Sequence, residues 1–146
     1  MRKLLWICIF WVSTVHATTI IGHRGAAGLA PENTLAAYQT AIMLGVDVID
    51  MDVGLTQDGV VVVYHDLRLN PAITRQPNAH WLPQPGPAIH HLPFGHLQQY
   101  DVGRLNPDIP YHAKYPLQVP NDGEHIPSLQ EVIQFAKQHA SAQLQF

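Results

Sequence analysis

The chain is poor in cysteine, in charge and in long apolar runs. It holds one cysteine, Cys8, in 146 residues, so a disulfide scaffold is excluded. Charged residues are 13% and the net charge is −3, which leaves no basic surface of the kind that binds nucleic acid. No apolar run approaches the roughly 20 residues needed to cross a bilayer. Apolar residues are nonetheless 47%, which excludes a disordered composition and supports one domain with a real core.

The first 17 residues read as a signal peptide. Arg2 and Lys3 supply the positive start, Leu4 to Val12 the short apolar run, and Val15-His16-Ala17 small residues at the −3 and −1 positions of a cleavage site. Cys8 lies inside this segment with too little apolar sequence before it for a lipid anchor. The expectation is an exported protein, periplasmic or secreted, with no thiol and no stable membrane anchor after cleavage.

Thr18 to Gly22 (TTIIG) reads as a first strand, and it delivers the doublet His23-Arg24. A small-residue loop follows, Gly25 to Ala30. Asn33 or Thr34 then caps a helix over residues 35–44, with Glu32 near its positive end and Gly45 as its stop. In Val46 to Val53 (VDVIDMDV), strand alternation puts Val48, Asp50 and Asp52 on one side and Ile49, Met51 and Val53 on the other. Thr56 to Gly59 is a turn. Val60 to Tyr64 is a β-branched strand ending in His65-Asp66.

Residues 67–125 differ in kind. Ten of the twelve prolines lie there, with six of the ten histidines, and no period of 2 or 3.6 is sustained. Such a stretch is expected to be an insertion near a functional site, with a short helix near Leu97 to Tyr100. Its histidines, including the pair His90-His91, miss zinc-ligand spacings and are expected to be solvated. From Ile126 regular structure resumes: a Ser128/Glu131 capping box opens a helix to about His139, and Ala142 to Phe146 begins another strand. This β/α alternation favours a mostly parallel sheet with chemistry at strand C-terminal ends.

Asp50 and Asp52 need compensation if buried, by a hard divalent cation or by pairing with an arginine or a helix end. His23 and His65 end apolar strands that could lie about 5 Å apart, which suits a general acid/base pair; the alternative is two loop histidines satisfied locally. Arg24 offers a fixed charge with a fork that matches phosphate, or else a surface ion pair. A phosphate holder, a cation site and two proton carriers together suit phosphodiester hydrolysis.

His23-Arg24-Gly25, five residues, then Pro31-Glu32-Asn33-Thr34 resembles the opening motif of the glycerophosphodiester phosphodiesterases. The resemblance continues through Gly45, Asp50-x-Asp52, Leu55-Thr56-x-Asp58-Gly59 and His65-Asp66, and loosely through Ile126-Pro127-Ser128-Leu129-x-Glu131-Val132. It implies an α/β fold of the TIM-type (β/α) barrel kind, like that of phospholipase C, that hydrolyses glycerophosphodiesters to glycerol 3-phosphate and an alcohol. By it His23 and His65 are the acid/base pair, Arg24 holds the phosphate, Asp50 and Asp52 bind Ca2+ or Mg2+, and Glu32 organises the pocket. Asp50 stands where the family pattern has Glu. The third acidic ligand, in a Glu-x-Lys strand, is expected beyond Phe146, with Glu124 a weak substitute. A full barrel needs about 250 residues, so residues 18–146 are expected to form only its first half or so: a fragment, or one piece of a split barrel awaiting a complementing chain. The rivals are a non-catalytic remnant and a sphingomyelinase-D-like phospholipase; the PENT tetrad and the Thr-x-Asp-Gly turn favour the glycerophosphodiesterase.

Overall fold

A computed structural model describes residues 18–139. The expected signal peptide and the strand expected at Ala142 to Phe146 lie outside the described residues.

The order of elements is β1 (Ile21–Gly22), α1 (Leu35–Met43), β2 (Val48–Ile49), β3 (Val53–Leu55), β4 (Val61–Val63), α2 (Phe94–Leu97) and α3 (Leu129–His139), with 3₁₀ turns at Ile89–His91 and Pro110–Lys114. β1 and β2 pair in parallel; β3 and β4 pair antiparallel. This corrects two expectations. The sheet is not mostly parallel among the described residues. Val46 to Val53 is also not one strand: β2 and β3 belong to different sheets, and Asp50 to Asp52 cross between them. The cause is lateral bonding of that crossing. Asp50 exchanges backbone hydrogen bonds with Gly22 and Gly25 on one side, and the Asp52 carbonyl accepts from the Tyr64 N–H on the other. The alternation therefore breaks: Ile49 is buried, whereas Val53 is exposed.

α1 starts at Thr34, whose Oγ1 accepts from the Ala37 N–H at 3.2 Å. It stops at Gly45, whose φ of +71° is the left-handed conformation a helix end favours. Glu32 does not serve the helix end as expected. The carboxylate facing the Leu35 and Ala36 N–H groups there is Glu124, also held by Asn121 Nδ2 at 2.8 Å. Its pKa is raised, burial being the main cause, against those hydrogen bonds. At α3 the capping box forms as expected. Ser128 Oγ accepts from the Glu131 N–H at 3.1 Å, and Glu131 Oε2 accepts from the Ser128 N–H at 2.7 Å. α1, β2, β4 and α3 enclose a small core of Tyr38, Ala41, Ile49, Val63 and Val132.

Residues 67–125, which sustain no period of 2 or 3.6, are ordered by other means. Short polar side chains bond backbone two residues on: Asn70 to Ala72, Asn78 to His80, Asp101 to Gly103 and Asn106 to Asp108. Isolated bridges add Arg68 to Ala88 and Arg75 to both Trp81 and Asp101. These turns fold Leu69, Ile73, Leu82, Ile89, Leu97 and Val102 onto Val62, Tyr64 and Ile126, which makes the larger core. The short helix begins at Phe94, not near Leu97, because Asp58 accepts the Phe94 N–H at 3.0 Å just after Pro93. That bond, with the Thr56 hydroxyl at 2.6 Å, holds the Asp58 carboxyl below its ordinary pKa, the Thr56 bond being the larger cause. The Thr-x-Asp-Gly turn thus anchors the inserted segment.

Candidate active site

Strand ends bring the sequence-predicted residues together, in an order the sequence did not foretell. His23 and Arg24 leave β1, and Asp50 to Asp52 leave β2. His65 follows β4 by two residues. β1 and β4 are not neighbours, so the expectation of adjacent strands for the two histidines is corrected: the Asp50–Asp52 crossing lies between their strand ends.

Each histidine is held by one aspartate. His23 Nδ1 lies 2.9 Å from Asp50 Oδ2, and His65 Nδ1 lies 2.6 Å from Asp66 Oδ1. An ionised carboxylate only accepts, so in each pair Nδ1 carries the proton and donates, which leaves Nε2 as the free nitrogen. Both imidazoles are exposed, as a proton carrier must be to reach a substrate.

Arg24 is treated differently. Its side chain is only 13% exposed, with Nη1 2.8 Å from Glu32 Oε1 and Nε 3.0 Å from Asp52 Oδ2. Asp52 Oδ2 also accepts from Asn33 Nδ2 at 3.1 Å, and Asn33 Oδ1 accepts from the buried Tyr38 hydroxyl at 3.1 Å. Burial opposes the Arg24 charge, but Glu32, by charge and hydrogen bond, and then Asp52 outweigh it and raise its pKa. Burial, then the charges of Asp52 and Asp50, likewise raise that of Tyr38. Arg24 and Asn33 both take left-handed backbone, φ 50° and 57°. Such strain costs about 1–3 kcal/mol per residue and persists where surrounding contacts over-determine it. Here the Asn33 N–H donates to the Arg24 carbonyl at 3.0 Å, which clips the doublet to the PENT tetrad. Gly25 must be glycine: φ is +82°, and a Cβ there would lie 2.8 Å from Ala37 backbone.

The alternative weighed for Asp52, pairing with an arginine, is thus realised. Asp50 and Asp52 each keep Oδ1 free of hydrogen bonds among the described residues. No group of three or more His, Cys, Asp or Glu that could hold a metal ion occurs among the described residues. Glu124 lies at the α1 N-terminus and does not complete such a set. All six histidines of residues 67–125 are exposed, as expected.

Sequence reasoning missed three members of the site. Asn33 was weighed only as a helix cap, although its place inside PENT beside Glu32 was a usable signal. Tyr38 had only its helical position. Tyr111, whose hydroxyl donates to Glu32 Oε2 at 2.5 Å, comes from 79 residues away and had no signal. A groove of about 320 Å³ runs beside His23, lined by Ile21, Leu29, Leu44 and Tyr115. The larger groove, about 770 Å³, lies between β4 and α3, away from these groups.

Charge balance limits what the arrangement can bind. Glu32 and Asp52 are two carboxylates on one guanidinium, and Asp50 and Asp66 each stand against a histidine. A phosphate anion entering there meets net negative charge unless a cation or a protonated imidazole accompanies it.

Strand-end histidines and carboxylates beside an arginine, on an α/β frame, define the class: an α/β protein with its ionisable groups gathered at strand C-terminal ends. The chain belongs to the glycerophosphoryl diester phosphodiesterase family, whose model matches residues 23–145. A glycerophosphodiester phosphodiesterase of Caldanaerobacter subterraneus subsp. tengcongensis is 53% identical over 49 residues, 34% of this chain and 20% of that protein. A solved family structure from Silicibacter pomeroyi is 33% identical with a TM-score of 0.80, covering 88% of this chain and 45% of that one. An Oleispira antarctica phosphodiesterase, solved with the product sn-glycerol-3-phosphate, is 31% identical with a TM-score of 0.60, covering 87% and 43%. The chain therefore spans less than half the length of these relatives.

Proposed function

We propose that the chain carries the first half of a glycerophosphodiester-hydrolysing barrel, with residues 18–146 as that part and 1–17 as an export signal to the periplasm or outside. Arg24 holds the phosphate. Of His23 and His65, one takes a proton from the attacking water or hydroxyl at its unprotonated Nε2, and the other, as the imidazolium with Nε2 protonated, gives that proton to the leaving alcohol. Asp50 and Asp66 hold each ring by Nδ1, so that Nε2 is the nitrogen that faces the substrate. Glu32 organises Arg24 and carries no proton. The free Oδ1 atoms of Asp50 and Asp52 are hard oxygen donors that fit part of a Ca2+ or Mg2+ shell, and the excess of carboxylates favours such an ion. When bound, the cation would polarise a phosphoryl oxygen and offset developing charge.

The observation that carries this reading is the part-buried Arg24 paired with Glu32 and Asp52, together with two strand-end histidines whose Nδ1 atoms each lie against a carboxylate. The test is release of sn-glycerol 3-phosphate from glycerophosphocholine by the purified chain with Ca2+ or Mg2+. H23A and H65A are each expected to lower it by about 10²-fold or more. Robust release untouched by either change would sink the assignment.

A second reading is favoured by exposed apolar side chains at the open side of β1: Ile21 is 59% exposed, Leu44 60% and Met43 79%. Such a surface suits a piece that binds phosphate alone and hydrolyses only beside a complementing chain. Phosphate binding without turnover, with turnover restored by the missing part of a relative, would support it.

A further inference from the structure

The segment around Tyr111 is fastened to the loop behind His23-Arg24. Gln118 Nε2 donates to the Ala27 carbonyl at 2.7 Å, and the Val119 N–H donates to the Leu29 carbonyl at 2.9 Å. Tyr111 itself sits on the turn Pro110–Lys114, its ring packed against the larger core. Its hydroxyl donates to Glu32 Oε2 at 2.5 Å, and Arg24 Nη1 approaches the Tyr111 hydroxyl oxygen at 3.5 Å. Burial, then this bond to Glu32, raises the Tyr111 pKa, so the group stays a neutral donor.

Arg24 has few donors to spare. Glu32 Oε1 holds Nη1; Nε is buried at ion-pair distance from Asp52 without a hydrogen bond, and Nη2 makes no hydrogen bond among the described residues. A carboxylate with both oxygens free tends to grip a guanidinium with two parallel bonds. Glu32 gripping that way would take one N–H of Nη1 and one of the two on Nη2, and so halve what Nη2 can offer a phosphate oxygen.

We propose that Tyr111 is a positioning residue for phosphate recognition: by occupying Glu32 Oε2 it limits Glu32 to one bond with Arg24 and keeps Nη2 available to the ligand. The residue acts through Glu32 and touches no substrate. The inference rests on the assignment of Arg24 to phosphate made above.

The test is a double-mutant cycle read as the Kd for inorganic phosphate and for sn-glycerol 3-phosphate, measured by calorimetry on the full chain. Y111F is expected to weaken both about tenfold, and in an E32Q background by less than about twofold, because the partner it acts through is gone. Y111L carries the same test if Y111F does not fold. Binding by Y111F within twofold of wild type overturns the proposal. So does an equal loss in both backgrounds, the mark of a merely structural tyrosine. A wild-type chain that binds neither ligand removes the phosphate assignment itself, and this proposal with it.

Discussion

Residues 18–66 and residues 67–125 reach order by opposite routes. The first region uses short strands, a capped helix and backbone pairing, and its share of core is small: Tyr38, Ala41 and Ile49, with Val63, from β4, and Val132. The second has almost no regular structure, yet Leu69, Ala72, Ile73, Leu82, Ile89, Leu97 and Val102 dominate the larger core. Aperiodicity therefore marks the absence of a repeating backbone ladder, not the absence of packing. Prolines help, since each reduces the freedom of the unfolded chain and so lowers the entropy lost on folding. The site repeats the contrast. The histidines and aspartates come from the first region, and the Tyr111 hydroxyl that touches the Arg24–Glu32 pair comes from the second.

Substitutions can break or sharpen this comparison. The largest effect is expected at Gly103, inside the aperiodic region, where an added Cβ would lie 1.9 Å from the Asn121 carbonyl oxygen. Backbone cannot yield there cheaply, so G103A is expected to cost about 3 kcal/mol or more in urea denaturation. A loss below about 1 kcal/mol would mean the region is a loose loop after all. Next, L69A removes a fully buried side chain from the larger core and is expected to cost about 3 kcal/mol, against about 1 kcal/mol for I49V in the smaller one. If tryptophan fluorescence (Trp81 lies in the inserted segment) and far-ultraviolet circular dichroism melt together in L69A, the two regions form one cooperative unit.

A smaller effect belongs to the α3 cap. S128A leaves the Glu131 N–H without its side-chain acceptor and is expected to cost about 1 kcal/mol by thermal denaturation. The smallest lies on the surface of the inserted region, where Arg104 grips Asp122 with Nε and Nη2 and Arg75 adds a third contact. The Arg104 bond first, then the charges of Arg75 and Arg104, lowers the Asp122 pKa against a small burial effect. A lowered carboxyl pKa means stability present above the unfolded value, near 4, and lost as pH falls through the folded one. D122N is thus expected to cost less than about 1 kcal/mol at neutral pH, because solvent screens the pair. The deficit should shrink toward zero below about pH 4 in melts run across pH.

Much of the candidate site was legible in the chain. The His23-Arg24 doublet, PENT, Asp50-x-Asp52 and His65-Asp66 carry their chemistry in residue type and spacing, and the caps at Thr34 and Ser128 follow from contacts within three residues. The partners of those residues were less so. Asp52 was open between a cation and an arginine, and only the fold showed that Arg24 and Asn33 hold it. Val46 to Val53 had the alternation of one strand, yet lateral bonds to Gly22, Gly25 and Tyr64 split it between two sheets.

By itself, then, the sequence determined the local elements, the residue types at the strand ends and the family they belong to, because periodicity, capping and motif spacing are properties of near neighbours. Only the tertiary structure decided the strand order, the pairing of Arg24 with two carboxylates and the arrival of Tyr111 on Glu32. Those depend on which distant segments shield one another from water, and no local pattern encodes a contact across 79 residues.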